Sequence, residues 1–143
     1  MKPYYLFILL IAGFLYAPAS YSQDVQSCSQ NAGKDAIYLK DFAVKLESAK
    51  PNQKPPVFRT TLALRKGVIY RLNVCNHPAS EGQAVMRLYD ESVMLLSTFN
   101  PETGKEYKAV SFECKKSGAY NIVISFRDGK PGEAVGILSY VGK

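Results

Sequence analysis

The chemistry open to this chain rests on a few side chains: a single histidine, three cysteines and a large set of tyrosines. His77 stands in Cys75-Asn76-His77-Pro78, two residues after a cysteine at the end of an alternating segment. A thiolate beside an imidazole is a nucleophile pair, because the ring takes the thiol proton. The segment offers the imidazole no orienting acid and no oxyanion donors, so the plainer reading is a loop histidine next to a disulfide cysteine. Cys75, His77 and Cys114 would also supply part of a zinc site, but structural zinc is bound tetrahedrally and the remaining ligand is missing. The chain has no Gly-x-Ser-x-Gly elbow, phosphate loop or His-Glu-x-x-His motif. Its carboxylates are scattered, so only the fold could bring together a glycosidase pair. The reading is non-enzymatic, with no catalytic residue, no metal and no cofactor. Tyr38, Tyr89, Tyr107 and Tyr140, set out as an exposed row, could stack on sugars; on strands such residues are more often half-buried.

The state of the cysteines depends on the compartment. Lys2 and the apolar run from Tyr4 to Ala17 have the form of a secretory signal. Ser20 and Ser22 are small residues suited to cleavage before Gln23, and Ala17-Pro18-Ala19 is a second site. The expectation is a signal peptide over 1–22 and a periplasmic or extracellular product. The run falls short of the roughly 20 residues a membrane-spanning helix needs, and no later segment reaches that length. A lipid anchor would need a cysteine at the cleavage point, and Asp24 and Gln26 separate Cys28 from the apolar run. Disulfides persist outside the cytoplasm. Three cysteines, Cys28, Cys75 and Cys114, give one pair and one remainder, and the pairs 28–75, 28–114 and 75–114 all stand open.

The charge balance is +6. Basic residues from Lys40 through Arg59, Arg65, Arg71 and Lys116 are spread along the chain and alternate with apolar ones. That is the pattern of a solvated strand face rather than a nucleic-acid track.

The elements that must position these groups are strands. Thr61 to Val74 and Ser111 to Ile124 read like one hairpin written twice: an alternating strand, a basic turn ending in Gly67 or Gly118, and a second strand entered through Tyr70 or Tyr120. Further alternation covers Phe42–Leu46, Phe58–Leu64, Ala84–Tyr89, Val93–Thr98 and Val135–Val141, with Pro- and Gly-rich breaks between. About eight short antiparallel strands and no convincing helical period predict an all-β sandwich, and the paired units favour a jelly roll. Residues 23–35 are polar and read as a flexible lead-in, leaving 36–143 as the domain. Tyr70 and Tyr120, if buried, need partners for their hydroxyls. Alternation puts Cys114 at an inward position equivalent to Leu64, and Cys75 on the face opposite Tyr70, Leu72 and Val74.

From Phe58 to Val141 the chain resembles the bacterial pre-peptidase C-terminal domain, a small secreted jelly-roll module. The resemblance rests on Leu62-x-Leu-x-x-Gly67-x-x-Tyr70-x-Leu72-x-Val74, on Met86-Arg87-Leu88-Tyr89-Asp90 and on Ser117-Gly118-x-Tyr120-x-Ile122. It implies a non-catalytic module that serves a secreted hydrolase in substrate binding, solubility or secretion. No catalytic domain accompanies it here, so the implied partner is bound in trans. The calcium loops of some members do not carry over: Asp90-Glu91 in a tight turn falls well short of the roughly six to eight oxygens that calcium takes. The expected function is protein–protein interaction in the bacterial envelope or outside the cell. The alternatives are a carbohydrate- or small-ligand-binding module and, more weakly, an enzyme. No nucleic-acid partner is expected.

Overall fold

The computed structural model describes residues 19–143, with side chains from Asp24 onward. A helix, α1 (Ala19–Gln30), precedes ten strands: β1 (Ile37–Leu46), β2 (Phe58–Leu64), β3 (Ile69–Asn76), β4 (Ala84–Asp90), β5 (Val93–Ser97), β6 (Phe99–Asn100), β7 (Lys105–Glu106), β8 (Val110–Glu113), β9 (Gly118–Phe126) and β10 (Gly132–Gly142). Sheet A has the order β1-β10-β3-β8 and sheet B the order β2-β9-β4-β5, all pairs antiparallel; β6 and β7 form a separate short ribbon. This is the jelly roll the alternating segments predict. The pairs β1:β10, β2:β9, β3:β8 and β4:β5 are nested, so the domain is one long two-stranded ribbon closed at the Asp90–Val93 turn and folded over on itself.

The two look-alike segments are not hairpins. β2 and β3 lie in different sheets, and so do β8 and β9. Each segment is an arch in which the chain crosses between sheets, and the two arches pair with each other rather than closing on themselves. Leu62 stands opposite Tyr120 and Tyr70 opposite Phe112. At the bend, the Gly67 amide donates to the Cys114 carbonyl (2.8 Å) and the Cys114 amide to the Val68 carbonyl (2.9 Å), while the Lys66 amide donates to Ser117 Oγ (2.7 Å). Both tyrosines find local partners: the Tyr70 hydroxyl accepts from the Arg65 amide (2.9 Å), and the Tyr120 hydroxyl donates to the Lys116 carbonyl (2.5 Å). The segments look alike because both strands of the ribbon make the same crossing at the same place. A tight reversal and an arch share the local signature of alternation, glycine and alternation; Gly67, at φ 84°, suits either.

The inner faces of the two sheets meet in a core of Phe42, Val44, Leu62, Leu64, Leu72, Met86, Leu88, Ile122 and Ile124, closed at the arches by Tyr70, Cys114 and Tyr120. Burying each of the larger aliphatic side chains contributes about 1.5–3 kcal/mol. The sheets come close at Gly136, where a Cβ would sit 2.8 Å from Ile124 Cδ1. β10 is buried on both sides: Ala134 and Leu138 face the core, whereas Val135, Ile137 and Ser139 point away from it and are still buried.

Their cover is α1, and here the sequence reading needs correction. Residues 23–35, expected as a lead-in without structure, are helical through Gln30. Val25 and Cys28, three residues apart and so on one side of the helix, pack against Val135 and Ile137, and Ala32 is buried just past the helix end. Cys28 forms a disulfide with Cys75 on the outer side of β3, with Cα atoms 5.7 Å apart. The Asn73 side-chain amide donates to the Cys28 carbonyl (2.8 Å), and Arg71 Nη1 donates to the Ala32 carbonyl (2.6 Å) and to Asp35 Oδ1 (2.8 Å). The Arg71 hydrogen bond holds the Asp35 carboxyl below the usual carboxylate range. Of the expected signal segment, residues 1–18 lie outside the described residues. No helix among the described residues is long and apolar enough to cross a membrane.

Candidate binding face

The fold does not bring Cys75, His77 and Cys114 together. The Cys75 sulfur is committed to Cys28. Cys114 is hydrogen-bonded to Val68, just before β3, whereas Cys75 sits near that strand's far end, roughly 20 Å away at the rise of an extended chain. Cys114 is the free thiol, buried in the core with its sulfur 3.7 Å from the Tyr120 hydroxyl. His77 is a loop residue: its Nδ1 accepts from the Ala79 amide (3.1 Å), and its Nε2 faces the Asp24 carboxylate at 3.7 Å. With Glu133 the two line a cleft of about 120 Å³ where α1 meets β10. Among the described residues no three His, Cys, Asp or Glu side chains are grouped to hold a metal ion.

The four tyrosines do not form a row. Tyr38, exposed on edge strand β1, donates its hydroxyl to Asp41, a bond that raises its pKa. Tyr140 packs against the core on the opposite side of the same sheet. Tyr89 lies in sheet B facing away from the core. Tyr107 follows β7, with the Lys105 ammonium 5.1 Å from its ring centre. Only Tyr89 and Tyr107 share a flank: Met94 is the cross-strand partner of Tyr89 and lines a groove of about 370 Å³ with Tyr107 and Phe99.

The two sheets differ in what covers them. Sheet A carries the stapled helix. Sheet B presents its outer face, and register arranges that face in rows: Arg59, Val123, Arg87 and Ser97 form one, and Thr61, Asn121, Tyr89 and Met94 the next. Arg87 Nη1 donates to Ser125 Oγ (2.8 Å) and Thr61 Oγ1 to Asn121 Oδ1 (2.8 Å), which holds these side chains along the sheet. At the loop end the Arg127 guanidinium stacks 4.3 Å over the Phe99 ring and pairs with Glu106. Val85, on the outward side of β4, is 1% exposed. A groove of about 820 Å³ runs here between Lys54, Val57, Arg87, Phe99 and Arg127.

Along one side of this face runs β5, an edge strand paired only with β4. Val93, Met94 and Leu95 are 61%, 52% and 40% exposed in succession. Protein edges are normally blunted by lysine, proline, a bulge or a covering segment; β5 carries no lysine or proline, and its one irregularity leaves Leu95 outside the register with β4. The sequence reading missed this feature. Its signal is the unbroken Val93-Met94-Leu95-Leu96, where alternation fails in an otherwise alternating chain, because a strand with one inner face cannot bury four successive apolar residues.

The arrangement defines a β-sandwich with a helix stapled over sheet A and a free apolar edge on sheet B. No protein-family model matches the chain, and no curated protein matches it.

Proposed function

We propose that this protein is an exported, non-catalytic interaction module that docks onto a larger protein in the bacterial envelope or outside the cell, using the outer face of sheet B and edge strand β5. One observation carries the reading: a disulfide-held helix covers sheet A, while the β5 edge of sheet B carries three successive exposed apolar residues. Exposed apolar side chains on a free strand edge suit strand addition, in which backbone hydrogen bonds give affinity and side-chain pockets give selectivity. The disulfide fits an oxidising compartment. The resemblance to the pre-peptidase C-terminal domain agrees, since that family assists enzymes without catalysis of its own. Sugar stacking draws little support from tyrosines split between two sheets.

The test is site-specific photo-crosslinking in native envelope and culture fluid, with the photoreactive residue at Met94 and a control at Lys40 on the edge of sheet A. A single protein adduct from Met94, lacking from Lys40, is the expected result. Recovery only as a free monomer from both positions counts against the reading.

A further inference from the structure

The outer face of sheet B has a charge of one sign. Of the outward positions on β2, β9 and β4, two are arginines and none is acidic. Arg59 and Arg87 flank Val123 in one row, so their backbones are two strand spacings apart, about 10 Å. Arg59 is exposed. Arg87 is half-buried and held by Ser125, and among the described residues neither arginine has a carboxylate within ion-pair distance. Lys54 adds a cation to the groove that Arg87 lines. Arg127 is already matched by Glu106, and Asp128 is the one acid in the groove's lining. A guanidinium has five N–H donors, so Arg87, which spends one on Ser125, keeps most of its capacity.

We infer that the occupant of this face is an acidic segment of a partner protein lying across its strands, with carboxylates on Arg59 and Arg87 and apolar residues against Met94 at the β5 edge. The inference rests on the interaction-module reading above and names the chemistry of its partner. A nucleic-acid strand would call for cations along its whole path, whereas this face supplies one row of two beside an apolar edge. Carboxylate recognition by arginine is charge-assisted and planar, which favours an acidic peptide.

The experiment is selection of a random twelve-residue peptide display library on the disulfide-intact protein, followed by affinity measurement with the enriched peptides. The expected result is enrichment of sequences carrying Asp or Glu among apolar residues, with Arg87→Glu and Arg59→Glu each weakening them by roughly tenfold or more. Rising salt should weaken binding as well. Arg59 is exposed, so Arg59→Glu keeps the test decisive should Arg87→Glu fail to fold. Enriched peptides without acidic residues, or indifferent to both substitutions, overturn the inference and leave the interaction reading standing. Lack of any enrichment also overturns it, and the Met94 crosslink then decides the broader reading by itself. Tighter binding to a sulfated glycan than to any peptide overturns both.

Discussion

Replacing both Cys28 and Cys75 by alanine should remove a large part of this domain's stability. The bond joins residues 47 apart and closes a loop through β1, β2 and most of β3. The chain-entropy relation gives about 14 cal/mol/K for a loop of that length, or about 4 kcal/mol at 25 °C. Little else replaces it: among the described side chains of α1, from Asp24 onward, only Val25 and Cys28 are apolar, so helix packing alone adds modestly. The assay is urea unfolding under non-reducing conditions, followed by far-ultraviolet circular dichroism and by tyrosine emission, since the chain has no tryptophan. At a slope of roughly 1.5 kcal/mol per molar urea, the midpoint should fall by between about 2 and 3 M. A fall below roughly 0.5 M would refute the reasoning, because the loop would then not be what constrains the unfolded chain. Peptide mapping of the unreduced protein should return Cys28 linked to Cys75.

Gly132→Ala should destabilise by about 1–3 kcal/mol, because a Cβ there overlaps the ring carbons of Phe126; an unchanged melting temperature would contradict this. Cys114 is buried, so an aromatic disulfide reagent should find no thiol in the folded protein and one per chain in denaturant; prompt reaction in the native state would mean the arch opens. Burial, followed by the hydrogen bond with Cys114, pushes the Tyr120 hydroxyl up to about 12, so ultraviolet titration should show a late-ionising component that Tyr120→Phe removes and that is distinct from the raised Tyr38. The sign follows: an unfolded tyrosine ionises near 10, so this contribution to stability is whole below about pH 10 and is lost as pH rises toward 12. The Tyr120→Phe variant should therefore unfold at higher pH than the parent, and an identical alkaline midpoint would remove Tyr120 as a cause.

Strand positions were legible because each of the main strands has one inner face, and alternation writes that face into the sequence: Phe42 and Val44, Leu62 and Leu64, Tyr70 and Leu72, Ile122 and Ile124 all point where the pattern puts them. The same alternation separates Cys114, turned inward, from Cys75, turned outward. It could not say that α1 would lie on that outer side, because the helix is polar and its docking depends on Asn73, Arg71 and the disulfide, residues remote in sequence. Hairpin and arch were confused for a related reason. They differ only in which distant strand takes their hydrogen bonds. The outer face of sheet B was illegible for the same cause: Arg59 and Arg87 become neighbours only through the register of β9, and only the broken alternation at Val93–Leu96 was visible locally.

The nested ribbon sets an order in which the chain can acquire structure as it is made. β1 pairs only with β10 and β2 only with β9, while β3 waits for β8 and β10. A nascent chain that ends before Gly118 therefore has no partner for either of its first two strands. The local closures among the described residues are the turn between Asp90 and Val93 and the short β6–β7 ribbon that follows it. From there each rung shortens the span that the next must bridge, through Arg71 with Ser111, Lys66 with Ser117 and Thr61 with Asn121, which lie 40, 51 and 60 residues apart. The nesting thus places the pairing of lowest loop cost at the middle of the chain and makes β1 with β10, its two ends, the pairing of highest loop cost.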